Sequence, residues 1–404
     1  ESPSKVGLSL GEIADDSIDH KILPAYLDCN ESKLEQFTSA YVWSRYQHND
    51  WDWVDNIIAK EWPKSQIARF YTFLPFTLDT WQRVSTILSD SEALYWKKTG
   101  VNPYQAGCEL HFAIDKLIEY DRPYAAIDCI YIGIHDKKPL ETPRMIHALM
   151  SAISSQEPSD SMDAHDIAEI IKALQDDSST TSDDLFRVEW AYLPLLNYNY
   201  GVTPKYLENR LATDSDFFCE IIRLVYRSKN IPKTDEQEAT EQEKTIAKNA
   251  WNLLDNWRSP PGTQANGNFD EAQFEKWLTE TWNTCSETGH IKVALLTIGK
   301  VLFYCPGDPG GLWINKAAAN ALNRKDAEKM RDGFCSEILN SRGVHTVVPT
   351  GKPERELAEK YRQQAHDAEN EGFQRLAVSL RELADSYDKE ADRIIDNYKF
   401  RDEE

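Results

Sequence analysis

The sequence predicts an all-α protein, an α-solenoid of antiparallel helix pairs in two lobes. Apolar residues recur at helical spacing along most of the 404-residue chain. Pro, Gly or Asn/Asp pairs punctuate that pattern at about the length of one short helix. The stretch Leu185–Arg227 then supplies the grammar of the whole. Val188, Tyr192, Leu195 and Leu196 fall on one helical face and Phe217, Phe218, Ile221, Ile222, Leu224 and Val225 on another. Tyr198-Asn199-Tyr200-Gly201 ends the first helix, Thr203-Pro204 starts a short one over Pro204–Leu211, and Asp214-Ser215 caps the last.

Taken in order, residues 1–32 read as a polar, irregular connector whose apolar content gathers at Leu23, Pro24, Tyr26 and Leu27. Residues 33–229 form the N-terminal helical lobe. Its first helix follows Ser32, and others follow Asn49-Asp50, Pro63 and Pro75, which makes two hairpins. Leu110, Ala113, Ile114, Leu117 and Ile118 then face Ala125, Ala126, Cys129, Ile130 and Ile134 across the turn Asp121-Arg122-Pro123. The second of these helices is apolar nearly all round and is expected to be buried between neighbours. Helices over Pro143–Ile153 and Met162–Leu174 precede a polar loop at Asp176–Asp184.

Residues 230–268 form a charged and Pro/Gly-rich linker region with one helix, anchored by Trp251, Leu254 and Trp257. The main boundary is placed near residue 230 and a softer hinge near 262. Residues 269–404 form the C-terminal lobe, with helices over Glu271–Glu287, His290–Tyr304, Gly311–Leu322, Asp326–Asn340 and Pro353 onward, the last divided at Gly372.

The charge balance, 67 acidic against 45 basic residues for a net −22, repels phosphate backbones and anionic lipid, so neither nucleic acid nor a membrane surface is the expected partner. Seven scattered cysteines with no CxxC motif fit a reducing cytoplasm rather than a disulfide framework. No apolar run has the ~18–20 residues of a membrane span. A polar opening without an initiator Met suggests a fragment of a larger protein.

The segment Gly289–Pro306 resembles the second helix of a tetratricopeptide repeat: Gly289, Ala294, Ile298, Val301 and Pro306 occupy the places of that family's glycine, small and packing residues and terminal proline. Trp313 follows near the next repeat's opening tryptophan, and Arg122–Pro139 and Gly372–Leu380 repeat the pattern loosely. No regular period of ~34 residues holds, so the resemblance is to a degenerate tetratricopeptide- or HEAT-like array. More broadly, VEWAYLPLL, NSRGVHTVVPTGKPERELAEKYRQQA and LADSYDKEADRI are similar to the C-terminal region of large bacterial multidomain proteins, including antiviral-defence types of the STAND class. That resemblance implies a sensing or scaffolding role downstream of an effector module.

No motif for catalysis or a cofactor stands out. Pro349-Thr350-Gly351-Lys352 fails as a P-loop, because Thr346 stands where the first glycine belongs and Pro353 where Ser or Thr belongs; it reads as a helix start. His111, His135, His147 and Cys129 lack ligand spacing, His165–Glu169 lacks a second histidine, and Cys285 with His290 would need two further ligands, so no metal site is expected. Tryptophans crowd the first hundred residues. Trp43, Trp51, Trp53, Trp81 and Trp96 are candidates for a partner-binding groove, and Arg342 and His345 for a cationic contact. Together these features predict a non-catalytic protein-recognition array with a protein partner. The alternative is a hydrolase with a site between the lobes, built on Cys335, His345 and Glu337.

Overall fold

The computed structural model describes residues 2–29, 31–58, 62–159, 162–196, 201–230, 240–264, 267–343 and 347–399. The regular elements among them are helices, beside one isolated bridge between Thr263 and Phe269. Contacts divide the chain into two compact units, Glu1–Val202 and Thr203–Glu404. The division falls inside the Leu185–Arg227 stretch, not at the charged run near residue 230, because the helix at the end of that stretch packs on the helices that follow it. The turn expected at Tyr198-Asn199-Tyr200 lies outside the described residues.

Unit 1 opens with α1 (Pro3–Ile13) and α2 (Asp16–Leu27), where the sequence suggested an irregular connector. Two glycines, Gly7 and Gly11, hide the helix from a propensity reading, since each weakens an isolated helix by ~1 kcal/mol. In the fold they let α1 lie directly on α3 (Ser32–Ile58). A Cβ on Gly7 would come within 2.3 Å of the Phe37 carbonyl oxygen, and one on Gly11 within 2.7 Å of Ser44 Cβ. Helix α3 is not straight: Asp50, at φ 52°, breaks it where Asn49-Asp50 predicts a boundary.

The core of unit 1 continues through α4 (Lys64–Tyr71), α5 (Leu78–Leu88) and the single turn α6 (Ala93–Trp96). Then α7 (Leu110–Glu119) and α8 (Pro123–His135) pack across their short turn, and α8 also meets α9 (Thr142–Ala152) and α10 (Asp163–Asp176). This is the burial predicted for an all-round apolar helix, with Ala126, Ile127, Cys129 and Ile130 fully enclosed. Helix α11 (Ser182–Ala191) closes the unit, and just beyond it Tyr192 donates its hydroxyl to the Leu149 carbonyl at 2.6 Å.

Unit 2 holds α12 (Lys205–Thr213), α13 (Ser215–Val225), α14 (Glu241–Asn256), α15 (Glu271–Glu287) and α16 (Ile291–Leu302). It goes on with α17 (Lys316–Asn323), α18 (Glu328–Asn340), α19 (Lys352–Asn370) and α20 (Gln374–Lys399). The cap expected at Asp214 forms, accepting from the Phe217 amide, and Thr240 with Glu243 forms a capping box at the head of α14, inside the run read as a charged linker. Gly372, at φ +90°, turns α19 into α20, where Tyr361 stacks on Tyr387 at 5.7 Å. Helices α16 and α18 cross through Gly299 and Gly333: a Cβ on either would lie about 2 Å from a carbonyl oxygen of the other helix, Met330 or Leu296. Among the described residues no helix is long and apolar enough to cross a membrane.

Candidate functional site

The sequence-predicted tryptophans do not form one groove. Trp81 and Trp96 are 1% exposed and lie in the core with Phe76 and Phe112, Trp81 stacking on Phe112 at 5.6 Å. Burial of so large a ring is what holds the short helices α5 and α6 onto α7. Trp53 is buried too, and its indole N–H donates to Asp19 at 2.8 Å. Trp43 and Trp51 alone of the five are half-buried.

Helical spacing puts Gln36, Ala40 and Trp43 on one face of α3 and Arg45 and Asn49 on the other. Each face borders a cavity of about 590 Å³. The first is lined by Ser4 and Leu8 of α1, Glu35 and Trp43 of α3, Arg69 and Phe73 at the end of α4, and the rim residue Lys98. Arg69 pairs with Glu35 at 2.7 Å while its guanidinium lies 5.4 Å from the centre of the Phe73 ring. An aromatic wall, a fixed guanidinium and an exposed lysine thus share one open cavity. Trp51 faces elsewhere, under the Arg83 guanidinium at 4.1 Å, and Arg83 is held in turn by Asp55 at 3.1 Å.

Behind the second cavity is a polar network that sequence reasoning missed. Asp19, fully buried on α2, accepts from the Tyr41 hydroxyl at 2.5 Å, from Arg45 Nη2 at 2.8 Å and Nε at 3.2 Å, and from Trp53. Arg45 also donates to the Ala14 carbonyl at 2.8 Å. Burial, and then the bond to Asp19, push the Tyr41 phenol well above its ordinary range. Every donor here is committed, so the network fastens α2 to α3 and gives the cavity a fixed wall rather than a reactive group. The available signal was a carboxylate placed among apolar residues of a segment read as irregular.

In unit 2, Arg342 sits between Glu354 at 3.0 Å and Glu390 at 3.9 Å, with Tyr387 beside it at 5.4 Å. His345 lies outside the described residues. Three other basic residues of this region also meet acids: Lys352 meets Glu356, Arg355 meets Asp392 and Arg362 meets Asp388, while Lys360 lies over the Tyr361 ring. Cys335 and Glu337 of α18 point to different neighbours. The Cys335 sulfur approaches the Ser379 carbonyl at 3.9 Å, and burial pushes its thiol up to about 12. Glu337 accepts the Tyr304 hydroxyl at 2.6 Å.

The histidines disperse likewise. His111, His135 and His147 are exposed, and Cys129 is buried. His290 uses both ring nitrogens, on Thr288 and on the Tyr226 carbonyl, so it does not share a ligand set with Cys285. Among the described residues no three His, Cys, Asp or Glu side chains gather as metal ligands would. Gly351, at φ 60°, precedes α19 with Pro353 in its first turn, the helix start that the failed P-loop predicts. The chain matches no protein-family model, no curated protein and no solved structure.

Proposed function

We propose that the chain is a protein-recognition and scaffold module whose helix pairs stack as an α-solenoid in two lobes, and that the Trp43 cavity of unit 1 is where it takes hold of a partner. The observation that carries this reading is the combination at that cavity of a half-buried Trp43, an Arg69 oriented by Glu35 and Phe73, and an exposed Lys98. Trp and Arg are the residues most often found to dominate binding energy at protein interfaces. Two fixed or near cations on a chain of net charge −22 select an occupant with acidic and aromatic side chains. The resemblance to large bacterial multidomain proteins extends the proposal to a cytoplasmic sensor that reports a foreign protein to an effector module.

The alternative hydrolase reading has less support, since a thiol held at about 12 is protonated at neutral pH and is a poor nucleophile. The test is capture from phage-infected and uninfected bacterial lysates with the folded chain as bait. Trp43→Ala and Arg69→Ala should each lower recovery of the captured protein at least tenfold. Trp251→Ala, at an exposed tryptophan of α14, should leave it unchanged. Equal recovery with all three variants removes the cavity from the reading.

A further inference from the structure

Cys219 on α13 and Cys285 on α15 are 66 residues apart in sequence, yet their sulfurs are 3.5 Å apart. Both are buried, at 2% and 1% exposure. The two helices are fastened on either side of this contact. Ser215 donates its hydroxyl to Glu280 at 2.9 Å before it, and beyond it His290 meets the Tyr226 carbonyl at 3.0 Å and Ser228 donates to the Thr288 carbonyl at 2.6 Å. The offsets of 65, 66 and 64 residues for the pairs 215–280, 219–285 and 226–290 are nearly constant, so α13 and α15 run in the same direction with a fixed register. The register therefore needs no search: a disulfide requires the sulfurs to close to about 2.0 Å, a movement within reach of side-chain rotation and a small helix shift.

We propose that Cys219 and Cys285 are a modification site at which a small hydroperoxide forms a reversible disulfide that locks α13 to α15. Either sulfur can attack first, because the two share one hydrogen bond in which each can be the donor and the Arg223 charge favours a thiolate at both. With Cys219 first, Cys285 is the resolving thiol. The Cys219 thiolate attacks one oxygen of the hydroperoxide, the O–O bond breaks, and the departing oxygen takes a proton, leaving Cys219 as a sulfenic acid. Cys285 sulfur then attacks that sulfur, its proton goes to the departing hydroxyl, and the S–S bond forms with release of water. With hydrogen peroxide the sum is two thiols and one peroxide to one disulfide and two waters; two electrons pass from sulfur to oxygen. Bulky disulfide reagents should be excluded by the burial of both thiols.

The experiment treats the folded chain, carrying Cys108→Ser to remove the exposed thiol, with hydrogen peroxide. Expected are a loss of two alkylatable thiols, a peptide cross-link joining 219 to 285, and a thermal midpoint raised by several degrees and returned by dithiothreitol. Cys219→Ser and Cys285→Ser should each abolish the cross-link and the shift; their helicity by circular dichroism shows that the fold persists. Two results overturn the proposal: after peroxide treatment of the folded chain, both cysteines still alkylatable once the quenched sample is unfolded, or a cross-link appearing only when denaturant opens the fold before peroxide is added.

Discussion

Two close helix crossings, one in each unit, are built from different arrangements of glycine. In unit 1 both glycines belong to α1, four residues apart, and α3 presents ordinary residues to them. In unit 2 each helix gives one, Gly299 on α16 and Gly333 on α18, and each is filled by backbone of the other. At the one-sided seam a Cβ on Gly7 would meet the Phe37 carbonyl oxygen at 2.3 Å, and one on Gly11 would meet Ser44 Cβ at 2.7 Å and the Tyr41 carbonyl oxygen at 2.8 Å. The two-sided seam meets carbonyl oxygens at both points, and backbone cannot rotate away. What differs is thus closeness: backbone bars a side chain at both seams, at 2.3 and 2.8 Å in unit 1 and at 1.9 and 2.0 Å in unit 2.

Unit 1 compensates with its buried polar network, and the largest predicted effect tests that. Asp19→Ala leaves Arg45 buried without its carboxylate and should cost about 3–5 kcal/mol. Urea unfolding with hydrogen exchange of α2 and α3 as local readout checks it. A loss below ~1 kcal/mol would mean that the glycine seam alone holds α3. Next, Gly299→Ala and Gly333→Ala should each cost about 3 kcal/mol, with faster exchange confined to α16 and α18. Gly7→Ala, facing the Phe37 carbonyl oxygen at 2.3 Å, should cost about 2 kcal/mol, and Gly11→Ala less, because its nearest atoms, Ser44 Cβ and the Tyr41 carbonyl oxygen, lie farther off at 2.7 and 2.8 Å. If the unit 1 substitutions prove the costlier pair, the comparison is reversed.

The smallest effect is one of pH, and it touches both units. Asp15, the α2 cap, is held below its ordinary 3.8 chiefly by the Ser17 hydroxyl and then by the Ile18 amide. Glu243, in the α14 capping box, is held below 4.5 by the Thr240 amide and hydroxyl. A carboxylate depressed in the folded state stabilises above its unfolded pKa, and that stability is lost as pH falls through the folded value. Stability should therefore be flat near neutral pH and decline below about pH 4. Asp15→Asn and Glu243→Gln should each flatten part of that decline. An unchanged slope in both variants would remove the caps as its cause.

Much of the fold was legible because its signals are local. Pro123, Pro143 and Pro353 stand in the first turns of α8, α9 and α19, Asp214 reaches an amide three residues on, and Gly372 takes the positive φ that ends α19. The kink at Asp50 follows from the same kind of punctuation. The candidate site was legible only in part. Trp43 lies at a cavity, whereas Trp53, Trp81 and Trp96 are core, and nothing in their own neighbourhoods in sequence separates the two fates.

The sequence by itself determined that the chain is helical and where most helices begin and end, because caps and turns are settled by atoms three or four residues away. Tertiary structure alone decided which glycines open a helix seam, which tryptophans are buried, where the chain divides and that Cys219 meets Cys285. Each of those depends on residues tens of positions distant, whose arrival is set by the packing of whole helices and leaves no trace in local spacing.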